Sequence, residues 1–306
     1  MSKVAKAIKY IFDARYRTLI NAAHGLYNSW DDEKYLKRKF CAKMGVDLNL
    51  DNPQTFNEKL QWLKLYNRKP EYTMMVDKYK VRDYIADQIG EEHLIPLLGV
   101  WESPDEIDFD SLPSQFVLKC NHNSGLGMCI CKDKSKLDIP KVKAELRKGL
   151  QQDYYLTGRE WPYKDVPRRI ICEKYMQDDS KTGELADYKV LCFNGEPKLV
   201  EIHHGRFSGK HTQDFYDTNW EKTEFEQPED PMSSEVMVKP PFADEMFRLS
   251  RILAKDIPHV RVDWYYAAGQ LLFGELTFFD GSGFCPFVED QDLTIGQWIQ
   301  LPEKVG

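Results

Sequence analysis

Apolar residues recur at helical spacing from the start of the chain. Val4, Ile8, Ile11, Phe12, Leu19 and Ile20 share one side of residues 3–23, while Lys3, Lys6, Lys9, Asp13 and Arg17 fall elsewhere. The pattern predicts one amphipathic helix, and such helices ordinarily bury one face against the rest of the chain. Its basic character also admits weak association with a membrane surface. A second helix opens after Asn52 and Pro53. Thr55 is its cap, Glu58 completes a capping box, and Leu60, Leu63, Leu65 and Tyr66 supply apolar positions. A third covers residues 76–89 and stops at Gly90. From there the period shortens. Strand-like runs appear at 94–98, 116–120, 128–131, 169–176, 187–193 and 197–203, with Asn194 and Gly195 marking a tight turn between the last two. Helices are expected at 141–158 and 240–256. Residues 180–184 read as a polar loop and 204–235 as irregular. A strand–turn–strand fills 261–283, and a terminal helical piece includes Trp298.

Composition narrows the function. A net charge of −7 over 306 residues argues against a nucleic-acid partner, which needs a basic surface. The seven cysteines are odd in number and form no CxxC cluster, so free thiols in a reducing, cytoplasmic setting are expected, and zinc is not. No run of about 18 apolar residues is present, so no transmembrane helix is expected.

Two stretches carry candidate chemistry. In residues 261–283, Asp263 and Glu275 sit inside the two strands, and antiparallel pairing brings them near each other on one sheet face. Buried like charges raise each other's pKa unless a cation lies between them, and hard oxygen ligands suit Mg2+. Acids on a solvated strand face are also common, so the hairpin alone leaves both readings open. The second stretch is FVLKCNHNSGLGM. Its loop of Asn121, His122, Asn123, Ser124, Gly125, Leu126 and Gly127 offers backbone N–H groups to an anion, and Lys119 adds charge just before it. An ordinary hairpin turn has the same composition. No GK[ST] follows, so this is not a Walker loop. His203, His204 and Arg206, with Lys210 and His211 close by, suit an anionic acceptor such as a uronate, or are solvated loop residues.

The order of these pieces resembles the ATP-grasp superfamily, and more narrowly the teichuronopeptide-biosynthesis (TupA-like) ATP-grasp proteins, over residues 52–298. The resemblance implies an α+β fold, two antiparallel-sheet subdomains clasping ATP behind an N-terminal helical region. The implied divisions are 1–50, 51–110, 111–180 for the small subdomain and 181–306 for the large one with the metal site. It implies an ADP-forming carboxylate–amine ligase that works through an acyl phosphate. The partners would be a carboxylated sugar or polysaccharide precursor and an amino acid or amine, at the inner face of the membrane or free in the cytoplasm. By resemblance, Lys78 and Lys119 contact phosphates, and Asn123, Ser124, Gly125 and Gly127 form a mobile loop over them. Glu173, Lys174 and Met176 meet the adenine, Asp187 lies at the ribose, and Lys198 is a further phosphate-contacting base. Asp263 and Glu275 match the Mg2+ ligands, and Arg261 the base that stabilises the transferring phosphoryl group. The usual third ligand, an asparagine, is Thr277 here, so either its hydroxyl or a water fills that position. A glycosyltransferase of the same pathway would often carry an Asp-x-Asp motif, and the nearest pair, Asp178 and Asp179, lacks that spacing. A non-catalytic nucleotide-binding protein need not keep charges that are costly to bury.

Overall fold

The computed structural model describes residues 2–177, 187–205, 211–288 and 290–304. Asp178, Asp179, the 180–184 loop, Arg206 and Lys210 lie outside them. The N-terminal helix is two helices. α1 (Lys3–Phe12) ends at Asp13, whose extended backbone breaks the run and whose carboxylate then caps α2 (Ala14–Ala23) by accepting from Tyr16 N at 2.9 Å. Contrary to the packing expectation, α1 buries no side chain.

α3 (Asp32–Met44) was not marked by strong periodicity, but its ends are. Asp31 accepts from Lys34 N at 2.9 Å, and Gly45 closes the helix at φ 85°. α4 (Phe56–Tyr66) begins with the expected Thr55/Glu58 capping box. The third helix, expected over 76–89, starts late: α6 covers Val81–Ile89, and Val76 closes a separate short helix, α5 (Glu71–Val76). Asp77 separates the two, because its carboxylate accepts from Tyr79 N and Lys80 N and also from Asn121 Nδ2 at 2.7 Å.

Two antiparallel sheets follow. The small one, in the order β1-β4-β2-β3, comprises β1 (Leu97–Trp101), β2 (Phe116–Cys120), β3 (Met128–Cys131) and β4 (Ile170–Lys174). It therefore starts ahead of residue 111. Pro96, which has no N–H to give a ladder, precedes β1, so the run expected at 94–98 becomes a strand only from Leu97. α7 (Ile139–Gln151) covers one face through Val142 and Leu146, and α8 (Tyr155–Gly158) follows it as a separate turn. The large sheet, in the order β7-β6-β5-β8-β9, comprises β5 (Asp187–Phe193), β6 (Glu196–His204), β7 (Thr212–Asp217), β8 (His259–Ala267) and β9 (Gln270–Thr277). β7 lies in the stretch read as irregular. α9 (Ala243–Leu253) covers one face of this sheet, where the fully buried Trp264 donates its indole N–H to Ser250 Oγ at 2.8 Å. The other face is left for α4, the chain after β9, and the site.

α10 (Gln291–Gly296) ends before Trp298 and packs on α4. Its Asp292 accepts from the backbone and side-chain N–H groups of Asn57 at 3.3 and 2.8 Å, yet burial pushes its carboxyl up to about 6. A carboxyl raised above its unfolded value loses stability as pH climbs from about 4 to about 6, and the deficit persists above that. Asp292→Asn keeps an acceptor oxygen and removes the charge. Denaturant melts should show a gain of about 1–2 kcal/mol at pH 7 and none at pH 4. An equal gain at both would assign the effect to packing instead.

Candidate active site

Strand register brings the large sheet's charged residues together. Glu201, Lys189, Asp263 and Glu275 are successive cross-strand partners over β6, β5, β8 and β9. Arg261 and its partner Thr277 lie one step along, on the same face because side chains two apart share a face. Lys189 Nζ reaches Asp263 Oδ2 at 2.6 Å and Asp187 Oδ2 at 3.0 Å. Arg261 forks onto both oxygens of Asp263 at 2.7 and 2.8 Å and also bonds Asp280. Its Nη2 lies 3.4 Å from Thr277 Oγ1 and 3.8 Å from Glu275 Oε1.

These charges set one another's protonation. Burial pushes the Asp263 carboxyl up, but Arg261 and Lys189 outweigh it and hold it at about 2. Burial likewise opposes the Glu275 charge, and Lys78 foremost overcomes it, leaving that carboxyl below its usual range. Burial and Arg261 disfavour the Lys189 ammonium, but Asp263, Asp187 and Glu201 keep it charged. At Asp280 burial wins over Arg261 and raises the carboxyl.

The small sheet supplies the opposite wall. Val117, Lys119, Met128, Ile130, Ile171 and Glu173 share the face that α7 leaves open. Met128 and Ile130 are about half exposed there. Lys119 Nζ pairs with the buried Glu173 at 2.7 Å, and Arg82 approaches the same carboxylate at 3.5 Å. Lys78 links the two walls. Its Nζ donates to Asn123 O at 2.9 Å and lies 3.2 Å from Glu275 Oε2. Its backbone N donates to Asn121 O at 3.1 Å, so the Asp77 break between α5 and α6 is what aims this lysine. Tyr265 stands where the walls meet. Its phenol is pushed well up by burial and then by Asp187, Glu275, Asp263 and Glu173. Met176 packs beside it against Ile95, Ala267 and Leu272, and Lys174 N donates to Pro96 O at 2.9 Å.

The Gly-rich loop is anchored at both ends. Asn121, His122 and Asn123 are buried, and Asn123 Nδ2 donates to Gly149 O and Gln152 Oε1 at 3.2 and 3.0 Å. Gly127, at φ 71°, touches α7 so closely that an added Cβ would stand 2.8 Å from Gly149 Cα. Only Ser124, Gly125 and Leu126 form an exposed tip, where Gly125 has open space around it.

Two expected residues, Lys198 and His204, do not join this group. Strand alternation sends Lys198 to the α9 side of β6, among Glu196, Asp244, Phe247 and Arg251. His203 and His204 project from opposite faces, so they make no common anion pocket. His203 faces the site, bonded to Glu201 and lying 2.9 Å from His211 Nε2, and His211 in turn pairs with Asp230 at 2.8 Å. His204 lies 3.2 Å from the buried Asp214 on the other side. Each imidazole already has an acidic neighbour or leads to one. The residues that sequence reasoning passed over are Lys189, Glu201, Asp280 and Arg82. The first two had a signal, since each is a charge flanked on both sides by apolar residues. Among the described residues, no group of three or more His, Cys, Asp or Glu is arranged to hold a metal ion. The available donor set is the Asp263/Glu275 pair beside the Thr277 hydroxyl. No helix among the described residues is long and apolar enough to cross a membrane.

A family model described as TupA-like ATPgrasp matches residues 58–300. Three solved structures show similarity to the chain. D-alanine–D-alanine ligase from Helicobacter pylori is 13% identical over 80% of this chain and 69% of that one, with a TM-score of 0.43. The same enzyme from Bacillus anthracis, complexed with ATP, is 13% identical over 87% and 82%, with a TM-score of 0.43. The ATP-grasp ligase PsnB, complexed with a phosphomimetic variant of its minimal precursor, Mg and ADP, is 10% identical over 84% and 65%, with a TM-score of 0.40. No curated protein sequence matches the chain.

Proposed function

The chain belongs to the TupA-like ATP-grasp family, and from that premise we propose that it is an ATP- and Mg2+-dependent carboxylate–amine ligase acting through an acyl phosphate. The acceptor is a carboxylated sugar or polysaccharide precursor, and the nucleophile is an amino acid or amine. The observation that carries this reading is the Lys189–Asp263–Glu275 row with Arg261 forked onto Asp263, facing Lys119 and Glu173 with Lys78 between. Lysines and arginines interleaved with carboxylates around one cleft suit a reaction that presses phosphate oxygens against a carboxylate.

In this reading the adenine lies on the open face of the small sheet, along Met128 and Ile130, with Met176, the Lys174 backbone and Glu173 at its edge. Asp187 meets the ribose. Lys119 and Lys78 take up phosphate charge, and the tip Ser124–Leu126 closes over it with its backbone N–H groups. Asp263 and Glu275 fit Mg2+, which takes one or two carboxylates and completes its shell with phosphate oxygens and water rather than a protein cage. When bound, Mg2+ neutralises charge on the transferring phosphoryl oxygens. The acceptor carboxylate oxygen attacks the γ-phosphorus and ADP leaves. The amine then attacks the acyl carbon, Arg261 steadies the oxyanion, and inorganic phosphate departs. The paired histidines argue against a purely anion-binding role for His203.

The test is product analysis with panels of uronates and amino acids. ADP and phosphate should appear in equal amounts, dependent on Mg2+ and on both co-substrates. Release of AMP and pyrophosphate would overturn the acyl-phosphate scheme.

A further inference from the structure

α1 is amphipathic in the wrong direction for a packed helix. At about 100° per residue, Val4, Ala7, Ile8, Ile11 and Phe12 fall in one arc, and Lys3, Lys6, Lys9 and Tyr10 fill the opposite one. A surface helix turns its apolar arc inward. Here Val4, Ile8, Ile11 and Phe12 are 69%, 54%, 61% and 82% exposed. The contacts with α2 come from the polar side and the backbone. Tyr10 Oη donates to Asn21 Oδ1 at 2.7 Å, and Lys9 lies 4.9 Å above the Tyr16 ring. Arg17 donates to the carbonyls of Tyr10 and Ile11 at 3.2 and 2.7 Å. The helix is thus held to the body by its polar side while four large apolar side chains point to solvent.

Charge identifies what covers them. Lys3, Lys6, Lys9, Arg15 and Arg17 stand against a single acid, Asp13, in a chain whose net charge is −7. α1 itself holds no acid. A second copy docking arc to arc would bring lysine rims together with nothing to pair them. A leaflet of anionic lipids supplies both an apolar layer and negative headgroups at its rim.

We propose that α1 is an in-plane membrane helix that seats the protein on an anionic lipid surface. Its apolar arc enters the acyl-chain boundary, and the flanking lysines snorkel to headgroup phosphates. The inference is independent of the ligase reading.

Vesicle flotation with the full chain tests it. The protein should float with vesicles of phosphatidylcholine mixed equally with phosphatidylglycerol, and not with phosphatidylcholine alone. Ile8→Asp with Phe12→Asp should abolish flotation, and Lys3→Glu with Lys6→Glu should weaken it by about tenfold or more. All four side chains are exposed, so both variants should keep the parent's melting curve. Three results would each overturn the proposal. One is failure to float with the mixed vesicles, and another is flotation that survives the aspartates. The third is a dimer in light scattering that Ile8→Asp with Phe12→Asp dissociates, which would make the arc a self-association face.

Discussion

Arg261→Lys is expected to lower ATP turnover by about 10²–10³ while the protein still folds. Three nitrogens of the guanidinium are committed in different directions. Nε and Nη2 hold Asp263, Nη1 holds Asp280, and Nη2 also stands near Thr277 and Glu275. Burial opposes this charge, but Asp263 and Asp280 more than restore it, so the group is a fixed cation. Lysine retains the charge and loses the planar fork, which is the part that fixes geometry. The charge balance of the cluster survives, so the stability cost should stay near about 1–2 kcal/mol. Arg261→Ala should behave differently. It strips two buried carboxylates of their partner, at a cost of about 3–5 kcal/mol. ADP release at saturating ATP, read beside denaturant melts of both variants, separates the roles. Parent-like turnover by Arg261→Lys would make Arg261 a structural cation only.

The parts of the site that could be read from sequence are those set by strand register. Asp263 and Glu275 were expected to meet because two short strands joined by Ala268 and Gly269 leave few registers, and they are direct partners. The same logic, carried across β5 and β6, would have added Lys189 and Glu201. Each is a charge flanked by apolar neighbours, in DYKVLCF and KLVEIHH, and such a residue needs a partner on the next strand. Two expected groupings are not brought together on this face, for a matching reason. His203 and His204 are adjacent in sequence, so on a strand they face opposite ways, and Lys198 was placed by order along the chain without regard to its face.

What could not be read depends on breaks and long-range contacts. The helix expected over 76–89 is held off until Val81 by Asp77, whose decisive partner, Asn121, is 44 residues away. That break between α5 and α6 aims Lys78 across the cleft, and no local pattern records it. The N-terminal helix was split for a local reason, a self-capping Asp13, but its exposed apolar side is visible only once α2 has taken the polar one. β7 was missed because Thr212–Asp217, TQDFYD, shows no apolar alternation and carries polar residues on both faces. Gln213 and Asp214 are both buried against partners that come from other segments.

Glu275→Gln should abolish Mg2+-dependent ATP turnover and leave the fold nearly unchanged. The contrast with Asp263 is what makes this variant informative. Asp263 is 2% exposed and holds both Arg261 and Lys189, so neutralising it would unbalance a buried cluster. The Glu275 side chain is 30% exposed, and its close cation is Lys78 at 3.2 Å. Glutamine keeps its volume and one acceptor oxygen, so Lys78 keeps a partner and the stability cost should stay at about 1–2 kcal/mol. Function stands on the other side of that balance. With Glu275 neutral, the pair offers one carboxylate instead of two, and Asp263 is already shared between two protein cations. The remaining site should favour Arg261 and Lys189 over Mg2+, because the nearby carboxylates Asp263, Asp280 and Asp187 are each already bonded to one or both of those cations. Turnover should therefore fall by about 10³ or more at matched Mg2+, and extra Mg2+ should not restore it. Melting curves of parent and variant, taken without nucleotide, should coincide within a few degrees. A variant that turns over ATP like the parent would remove the β8–β9 hairpin from the reaction. A variant that unfolds would show that Glu275 serves the charge balance of the cleft before it serves any metal.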